Sequence, residues 1–230
     1  MYMDKIAIIP LRRGSKGIPG KNIRNFCNKP LAFWSINSLV DAHLFSKIIV
    51  ATDGPKISQV IRNFNFPNVE IYKRSFQSAL DTAPTEVVLL EVLNYYNISN
   101  ETIVYLVQAT NPLVTHIDFI ASLDLFCSSP YDSILSAVNT KHFYWTLDNI
   151  PINYNYNNRP RRQDHKGIYK ENGAFYINTA KNIMTYKNRL SGNIGIYEMK
   201  HYTEIELDTE DNWIYCECLM KKYILQNENI

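Results

Sequence analysis

The chain has 230 residues, of which 46% are hydrophobic and 13% aromatic, a composition typical of one ordered globular domain spanning 1–230. The net charge of +2 is too small to favour a nucleic-acid partner, and no apolar run reaches the length of about 18 residues that predicts a membrane span. Asp4 precedes the first apolar run and Arg12 follows it, the reverse of a signal peptide, so we expect a cytoplasmic protein with four reduced cysteines.

Apolar strands alternate with helical patterns through the first 140 residues, which predicts a doubly wound, mostly parallel α/β sheet. The predicted strands lie at about 5–10, 47–52, 69–73, 103–107 and 132–138. The predicted helices lie between them, at about 31–42, 54–64, 85–96 and 116–127.

The later part of the chain has a different pattern. Residues 148–158 contain five asparagines as well as Pro151, Tyr154 and Tyr156, which favours an irregular excursion over another βα unit. We place this inserted subregion at 141–195. Strands are predicted at 173–177, 194–199 and 204–207, and a helix at 209–225.

The stretch 11–22, which we call the glycine loop, follows the first strand and carries three glycines, a serine and four cations. Glycine lets the backbone turn tightly and come close to a ligand, and successive backbone N–H groups in such a turn bind anions. Arginine and lysine side chains add full charges for phosphate oxygens. The stretch has neither Walker nor dinucleotide-loop spacing, so it predicts a polyphosphate-binding loop of another kind.

Three further polar side chains follow predicted strands: Asp53, Gln108 and Asp208. Ligands of an open parallel sheet bind outside the carboxyl ends of its strands, so we expect these residues to share one edge with the glycine loop. Two alternatives are local. Asp53 could close an Asx turn, and the Gln108 amide could bond its own backbone.

Glu206 and Asp208 are two residues apart, so in a strand they point to the same face, where their charges repel. Mg²⁺ would relieve this repulsion, because it prefers oxygen ligands and is usually bound by one or two carboxylates plus substrate phosphates. Glu210 and Asp211 are better explained as acidic residues favoured at a helix N-terminus.

The glycine loop resembles the signature loop of the acylneuraminate cytidylyltransferases, usually A-R-G-G-S-K-G-I-x-x-K-N after a strand. The matching positions are Arg12, Gly14, Ser15, Lys16, Gly17, Ile18, Lys21 and Asn22, and the departures are Leu11 and Arg13. Later segments resemble the same family in the same order, at 52–53, 108–113, 161–164, 169–177 and 204–211. In the last of these, Glu206 stands where the family usually has Asp. The resemblance therefore covers nearly the whole chain.

The resemblance implies a Rossmann-like nucleotidyltransferase fold and an enzyme that joins CTP to an acidic nine-carbon 2-keto sugar and releases pyrophosphate. It also implies a homodimer, with 141–195 as its dimerisation and sugar-binding subregion, and no nucleic-acid or membrane partner. The implied cofactor is Mg²⁺, with Mn²⁺ as a substitute.

The resemblance also implies roles for individual residues. The nucleotide-binding residues would be Leu11, Arg12, Gly14, Ser15, Lys16, Gly17, Lys21, Asn22 and Asp53. Arg12, Lys21 and Asp208 would be catalytic, and Asp208 with Glu206 would hold the metal. Gln108, Arg162 and Tyr176 would bind the sugar, although Tyr176 could equally fill the core.

Three alternatives remain open from the sequence. A CMP-Kdo synthetase performs the same chemistry on an eight-carbon acid, but its R-x-x-S-T-R-x-P-x-K loop fits residues 14–19 less well. A glycosyltransferase with a D-x-D metal motif normally carries it mid-chain, whereas Glu206 and Asp208 are late. A non-catalytic sugar-nucleotide binding protein is favoured by two departures from the family's motifs, Arg13 in the glycine loop and Glu206 in the segment 204–211.

Overall fold

The computed structural model describes residues 3–14 and 17–226. Its nine strands are β1 Lys5–Pro10, β2 Asn25–Phe26, β3 Lys29–Pro30, β4 Lys47–Thr52, β5 Val69–Lys73, β6 Ile103–Val107, β7 Ser133–Thr140, β8 Ile168–Thr179 and β9 Ile194–Glu198. Seven of them form one sheet in the order β5-β4-β1-β6-β8-β7-β9, in which only β8 runs antiparallel to its neighbours. The short strands β2 and β3 form a separate hairpin.

The described helices are α1 Leu31–Asp41, α2 Pro55–Arg62, α3 Phe76–Ala79, α4 Thr85–Tyr95, α5 His116–Ser128, α6 Ala180–Tyr186 and α7 Glu210–Met220. Short 3-10 turns lie at Lys21–Ile23, Tyr156–Asn158 and His201–Thr203, and a π-helical turn at Lys221–Leu225 extends α7. None of the helices that the structure describes is long and apolar enough to cross a membrane.

The sheet is covered on both faces. Alternate residues of β1 point to opposite sides, so Ala7 and Ile9 face one core and Ile6 and Ile8 the other. Helices α1, α2 and α5 pack on the first face, and α4 and α6 on the second. This arrangement confirms the predicted doubly wound, mostly parallel α/β fold.

A third apolar cluster attaches α7 to the glycine loop. Ile18 of the loop packs with Leu207, Trp213 and Met220, all of which are almost fully buried. The rings of Trp213 and Phe26 of β2 pack in a T-shaped arrangement at a centroid distance of 5.4 Å. The last helix of the described chain therefore holds the first loop in place.

The irregular lobe (residues 141–167) is the part of 141–195 that precedes β8. The rest of that range contains β8, α6 and the start of β9, which belong to the main α/β fold. An isolated bridge between Trp145 and Pro151 and a cluster of aromatic rings organise the irregular lobe. The guanidinium of Arg159 lies 4.4 Å from the ring centroid of Phe143, a cation–π contact.

One predicted element was wrong. No strand forms at 204–207: that stretch belongs to the acidic segment (residues 201–209), which contains one 3-10 turn and otherwise irregular backbone. The strand predicted at 173–177 is confirmed, and it extends in both directions to form the twelve-residue β8.

Candidate active site

A cleft of about 330 Å³ opens at the carboxyl ends of β1 and β6. Seven of the residues predicted from the sequence line it: Arg12, Gly14, Lys21, Asn22, Gln108, Glu206 and Asp208. They come from the glycine loop, the turn after β6 and the acidic segment. The structure therefore brings residues separated by almost two hundred positions to one edge of the sheet.

The glycine loop is tied to the sheet by backbone contacts. Leu11 is fully buried and its N–H donates to the carbonyl of Ala51 over 2.8 Å, so its side chain belongs to the core. The amide of Asn22 donates to the Arg12 carbonyl over 3.0 Å. The predicted residues Ser15 and Lys16 lie outside the described residues.

Asp53 supports the loop from the neighbouring strand. Its carboxylate accepts a hydrogen bond of 2.7 Å from the backbone N–H of Arg13. The N–H of Gly54 instead bonds the hydroxyl of Thr52 over 3.1 Å. In the structure, Asp53 therefore fixes the backbone next to Arg12, and it does not line the cleft itself.

Lys21 links the glycine loop to the acidic segment. Its side chain is largely buried, and Nζ donates to the carbonyl of Leu207 over 2.6 Å and to Asp208 Oδ1 over 3.2 Å. A Cβ placed on Gly17 would collide with the carbonyl oxygen of Asp208. Only glycine lets the loop approach the acidic segment this closely.

Two of the three carboxylates of the acidic segment, Glu206 and Asp208, share the cleft without being in a strand. The N–H of Asp208 bonds the carbonyl of Glu206 over 3.1 Å, which makes a tight three-residue turn between them. The N–H of Leu207 donates to the Thr110 carbonyl over 2.9 Å and anchors this turn beside β6. The predicted proximity of the carboxylates is correct, but a turn produces it.

The electrostatic environments of the two carboxylates differ. The Asp208 side chain is 68% exposed. Burial raises the pKa of Glu206 above its usual range, and the nearby charge of Asp208 raises it further. The charges of Lys170 and Lys21 lower the pKa only in part, so ionised Glu206 remains destabilised in the folded protein.

Gln108 and Glu206 meet above Gly173, which has a φ of +62°. A Cβ on Gly173 would lie 2.6 Å from Glu206 Oε2 and 2.8 Å from Gln108 Oε1. Because Gly173 has no side chain, the Gln108 amide, predicted to bind sugar, and the Glu206 carboxylate, predicted to bind metal, share one corner of the cleft.

The other two predicted sugar residues lie elsewhere. Tyr176 is 7% exposed and does not line the cleft; its hydroxyl donates to Glu171 Oε2 over 2.8 Å, and burial raises its pKa to about 12. Arg162 lines a separate surface hollow of the irregular lobe with Phe143 and Arg159. A single copy of the chain therefore does not bring Arg162 to Gln108.

Sequence reasoning missed Arg74, which lines the cleft at the carboxyl end of β5 and is only 9% exposed. Its guanidinium donates to the Ser78 carbonyl, and its Nε has no hydrogen-bond partner among the described residues. Burial lowers its pKa. The rule that ligands bind at the carboxyl ends of parallel strands would have found it.

A metal site made by the protein alone is not present in residues 3–14 and 17–226, since no group of three or more His, Cys, Asp or Glu side chains could hold an ion there. The cleft instead offers two carboxylates beside a cationic loop. This donor set fits a hard cation that completes its coordination with phosphate oxygens and water.

Known proteins resemble this chain along most of its length. Residues 6–228 match the family described as cytidylyltransferase. N-acylneuraminate cytidylyltransferase A from Danio rerio is 30% identical over 218 residues, covering 92% of this chain and 49% of the relative. The chain thus spans about half the length of the known relatives it matches.

Two solved structures have a similar fold. CMP:2-keto-3-deoxy-manno-octonic acid synthetase complexed with CTP has a TM-score of 0.68 at 17% identity, covering 99% of this chain and 100% of that one. The 4-diphosphocytidyl-2C-methyl-D-erythritol synthase from Anaerococcus prevotii has a TM-score of 0.69 at 11% identity, covering 95% and 99%. At these identities the likeness shows a Rossmann-like nucleotidyltransferase fold and nothing finer.

Proposed function

The chain belongs to the cytidylyltransferase family, and on that premise we propose that it transfers the cytidylyl group of CTP to an acidic nine-carbon 2-keto sugar and releases pyrophosphate. The observation that carries the proposal is the Lys21 contact with Leu207 and Asp208, which joins a cationic loop to a carboxylate pair across one cleft. The name of the Danio rerio relative supports the choice of sugar class.

The reaction is an in-line displacement at phosphorus. The anomeric hydroxyl oxygen of the sugar loses its proton to water and forms a bond to the α-phosphorus of CTP. The bond from that phosphorus to the bridging oxygen breaks, and pyrophosphate leaves with the electron pair. In such transfers the protein contributes chiefly by positioning the reactants and neutralising charge. Arg12 would hold the outer phosphates and the backbone at Gly14 and Gly17 would approach them closely.

Lys21 is suited to the α-phosphate. An ammonium group has three N–H donors, and two of them are directed at the Leu207 carbonyl and Asp208. These two bonds fix the position of Nζ, and the third donor would serve a phosphate oxygen. Because the side chain is largely buried, its charge acts in a partly desolvated site, where it stabilises developing negative charge more strongly than in water.

Asp208 and Glu206 would hold Mg²⁺, or Mn²⁺ in its place. When bound, the metal would neutralise charge on the triphosphate and the leaving pyrophosphate. The raised pKa of Glu206 and the repulsion between the two carboxylates support this assignment, because a cation would relieve both. Glu206 is one methylene longer than the usual aspartate, and its carboxylate reaches the corner shared with Gln108.

The sugar would bind beside Gln108, whose amide can bond hydroxyl groups. The carboxylate of the sugar needs a planar bidentate donor such as Arg162, which lies on the irregular lobe. We propose that the chain acts as a homodimer in which the lobe of a second copy supplies Arg162. Exposed apolar residues of the lobe, Trp145, Ile150 and Ile152, give this interface apolar surface to bury. The reaction would take place in the cytoplasm.

A second candidate is a CMP-Kdo synthetase, because a structure of that activity has the same fold. The higher identity of the Danio rerio relative favours a nine-carbon acid.

The test is pyrophosphate release from CTP and Mg²⁺ with a panel of acidic sugars: N-acetylneuraminate, deaminoneuraminate, legionaminate, pseudaminate and Kdo. We expect release with one nine-carbon sugar. Release with Kdo alone would support cytidylyl transfer but would identify an eight-carbon acid as the substrate. CTP binding without release for any sugar would support a non-catalytic binding protein and contradict the proposal.

A further inference from the structure

Asp81 forms an ion pair with Arg12, the cleft residue to which the proposed function assigns the outer phosphates of CTP. Its Oδ1 lies 3.0 Å from Arg12 Nη1. The same oxygen would be 3.9 Å from a Cβ on Gly14, so it lies directly beside the glycine loop. An anionic oxygen thus contacts the arginine and the loop that would receive the nucleotide.

Asp81 is held in this place by its own segment. It lies in a turn closed by a 3.1 Å bond from the Ala83 N–H to the Leu80 carbonyl, and Leu80 and Ala83 both line the cleft. The preceding helix α3 is capped by the hydroxyl of Ser75, which accepts from the Ser78 N–H over 3.2 Å.

Two further contacts brace this segment from behind. Arg74 donates to the Ser78 carbonyl, and the Ser75 hydroxyl donates to the Glu91 carboxylate on α4. The carboxylate of Asp81 is therefore presented by an anchored turn, and Arg12 reaches it from the opposite side of the cleft.

A carboxylate and a phosphate offer arginine the same kind of anionic oxygen acceptors, so they compete for one guanidinium. We propose that Asp81 is a positioning residue that holds Arg12 in the absence of nucleotide and gives it up to a phosphate of CTP when CTP binds. This inference rests on the proposed function. Asp81 would keep Arg12 extended over the cleft, at the cost of some nucleotide affinity.

The size of the effect follows from the exposure of the pair. The Arg12 side chain is 39% exposed and that of Asp81 49%, so water screens their attraction. Exposed ion pairs of this kind correspond to about a two- to fivefold change in an equilibrium constant. Replacing Asp81 by a neutral isostere should therefore tighten CTP binding by about that factor, and added salt should reduce the gain.

The experiment is a double-mutant cycle read by calorimetric titration with CTP and Mg²⁺ at low salt. The four proteins are the unaltered chain, Asp81→Asn, Arg12→Gln and the double variant. Asp124→Asn, an exposed aspartate on α5 outside the cleft, is the matched control and should leave the Kd unchanged. Circular dichroism checks that each variant is folded.

The expected result is a Kd about two- to fivefold lower for Asp81→Asn, with no such gain when Arg12 is already Gln. A merely structural role would weaken binding. Weaker or unchanged binding by folded Asp81→Asn would overturn the inference, and so would an equal gain in the Arg12→Gln background. Failure of the unaltered protein to bind CTP would overturn the proposed function, and this inference with it.

Discussion

The two walls of the cleft are built in different ways. One wall consists of loops that leave the ends of β1 and β6, strands whose positions are fixed by hydrogen bonding in the sheet. The other is the acidic segment, which is mostly irregular and is held by separate side-chain and backbone contacts. The strand wall could form with the sheet, whereas the acidic wall needs the rest of the fold to be in place.

Individual polar contacts hold the acidic wall. The buried Asn111 amide donates to the carbonyls of Asn172 and Thr203 over 2.8 and 2.9 Å. Asn172 donates in turn to the Thr203 hydroxyl over 3.0 Å and accepts from Ser136 over 2.8 Å. Because a buried polar group without a partner is costly, each contact restricts where the segment can lie.

The largest expected effect comes from breaking the link between the two walls. Lys21→Met keeps most of the side-chain length but removes the ammonium, so we expect turnover to fall by about 10²–10³-fold. Steady-state pyrophosphate release measures it. Lys181→Met, on the exposed surface of α6, is the control and should retain full activity. An active Lys21→Met enzyme would contradict the assignment of Lys21.

The next effect tests the anchoring of the acidic wall. Asn172→Ala removes partners from Ser136 and Thr203 in a buried site, so the free energy of unfolding should drop by about 2–4 kcal/mol. Urea denaturation measures the change. Asn94→Ala on the exposed side of α4 should shift stability by less than about 0.5 kcal/mol. Equal, small changes for both variants would show that the anchor is not needed.

A smaller effect is expected where the walls touch. Gly17→Ala forces a methyl group against the Asp208 carbonyl and should cost about 1–3 kcal/mol of unfolding free energy. Gly14→Ala meets only Asp81 Oδ1, at 3.9 Å, and should be nearly neutral for stability. Thermal or urea unfolding compares the two. A tolerated Gly17→Ala would mean that the loop is not packed against the acidic wall.

The smallest effect is a pH dependence at Glu206. Its pKa is raised in the folded protein, so folded Glu206 binds protons more tightly than unfolded Glu206. Stability is therefore lost as pH rises from the unfolded pKa through the folded one. Glu206→Gln should therefore stabilise the protein at about pH 8, where Glu206 is ionised, and have little effect at about pH 4, where it is protonated.

Unfolding midpoints at the two pH values measure this difference. Saturating Mg²⁺ at about pH 8 should reduce the stability gained by Glu206→Gln, because a bound cation offsets the unfavourable free energy of ionised Glu206. A gain that is equal at both pH values would contradict the assigned cause.

The sequence predicted the strand wall better than the acidic wall, for a physical reason. Buried strands such as β1 and β6 are continuous apolar runs, and their carboxyl ends mark the ligand edge. The stretch 204–207 alternates charged and apolar residues like a strand. However, the Leu207 N–H bonds the Thr110 carbonyl and the Asp208 N–H bonds Glu206, so no ladder forms.

For individual site residues too, the sequence did not predict contacts between distant positions. Lys21 and Asp208 were predicted from motifs, but their contact spans 187 positions and no local pattern encodes it. Asp81 was not predicted as a site residue, because nothing near it in the sequence indicates that Arg12 is its partner. Arg162 depends on where the irregular lobe lies, and a single chain places it away from the cleft.

We propose that the two walls together form a site for cytidylyl transfer. The most direct measurement incubates the unaltered protein with Mg²⁺, N-acetylneuraminate and CTP labelled at the α-phosphorus, and then repeats the incubation with the other nine-carbon acids. We predict that the label moves into a CMP-sugar with one of these acids, in an amount equal to the pyrophosphate released. Label that stays in CTP with every acid, although CTP binds, would contradict the claim.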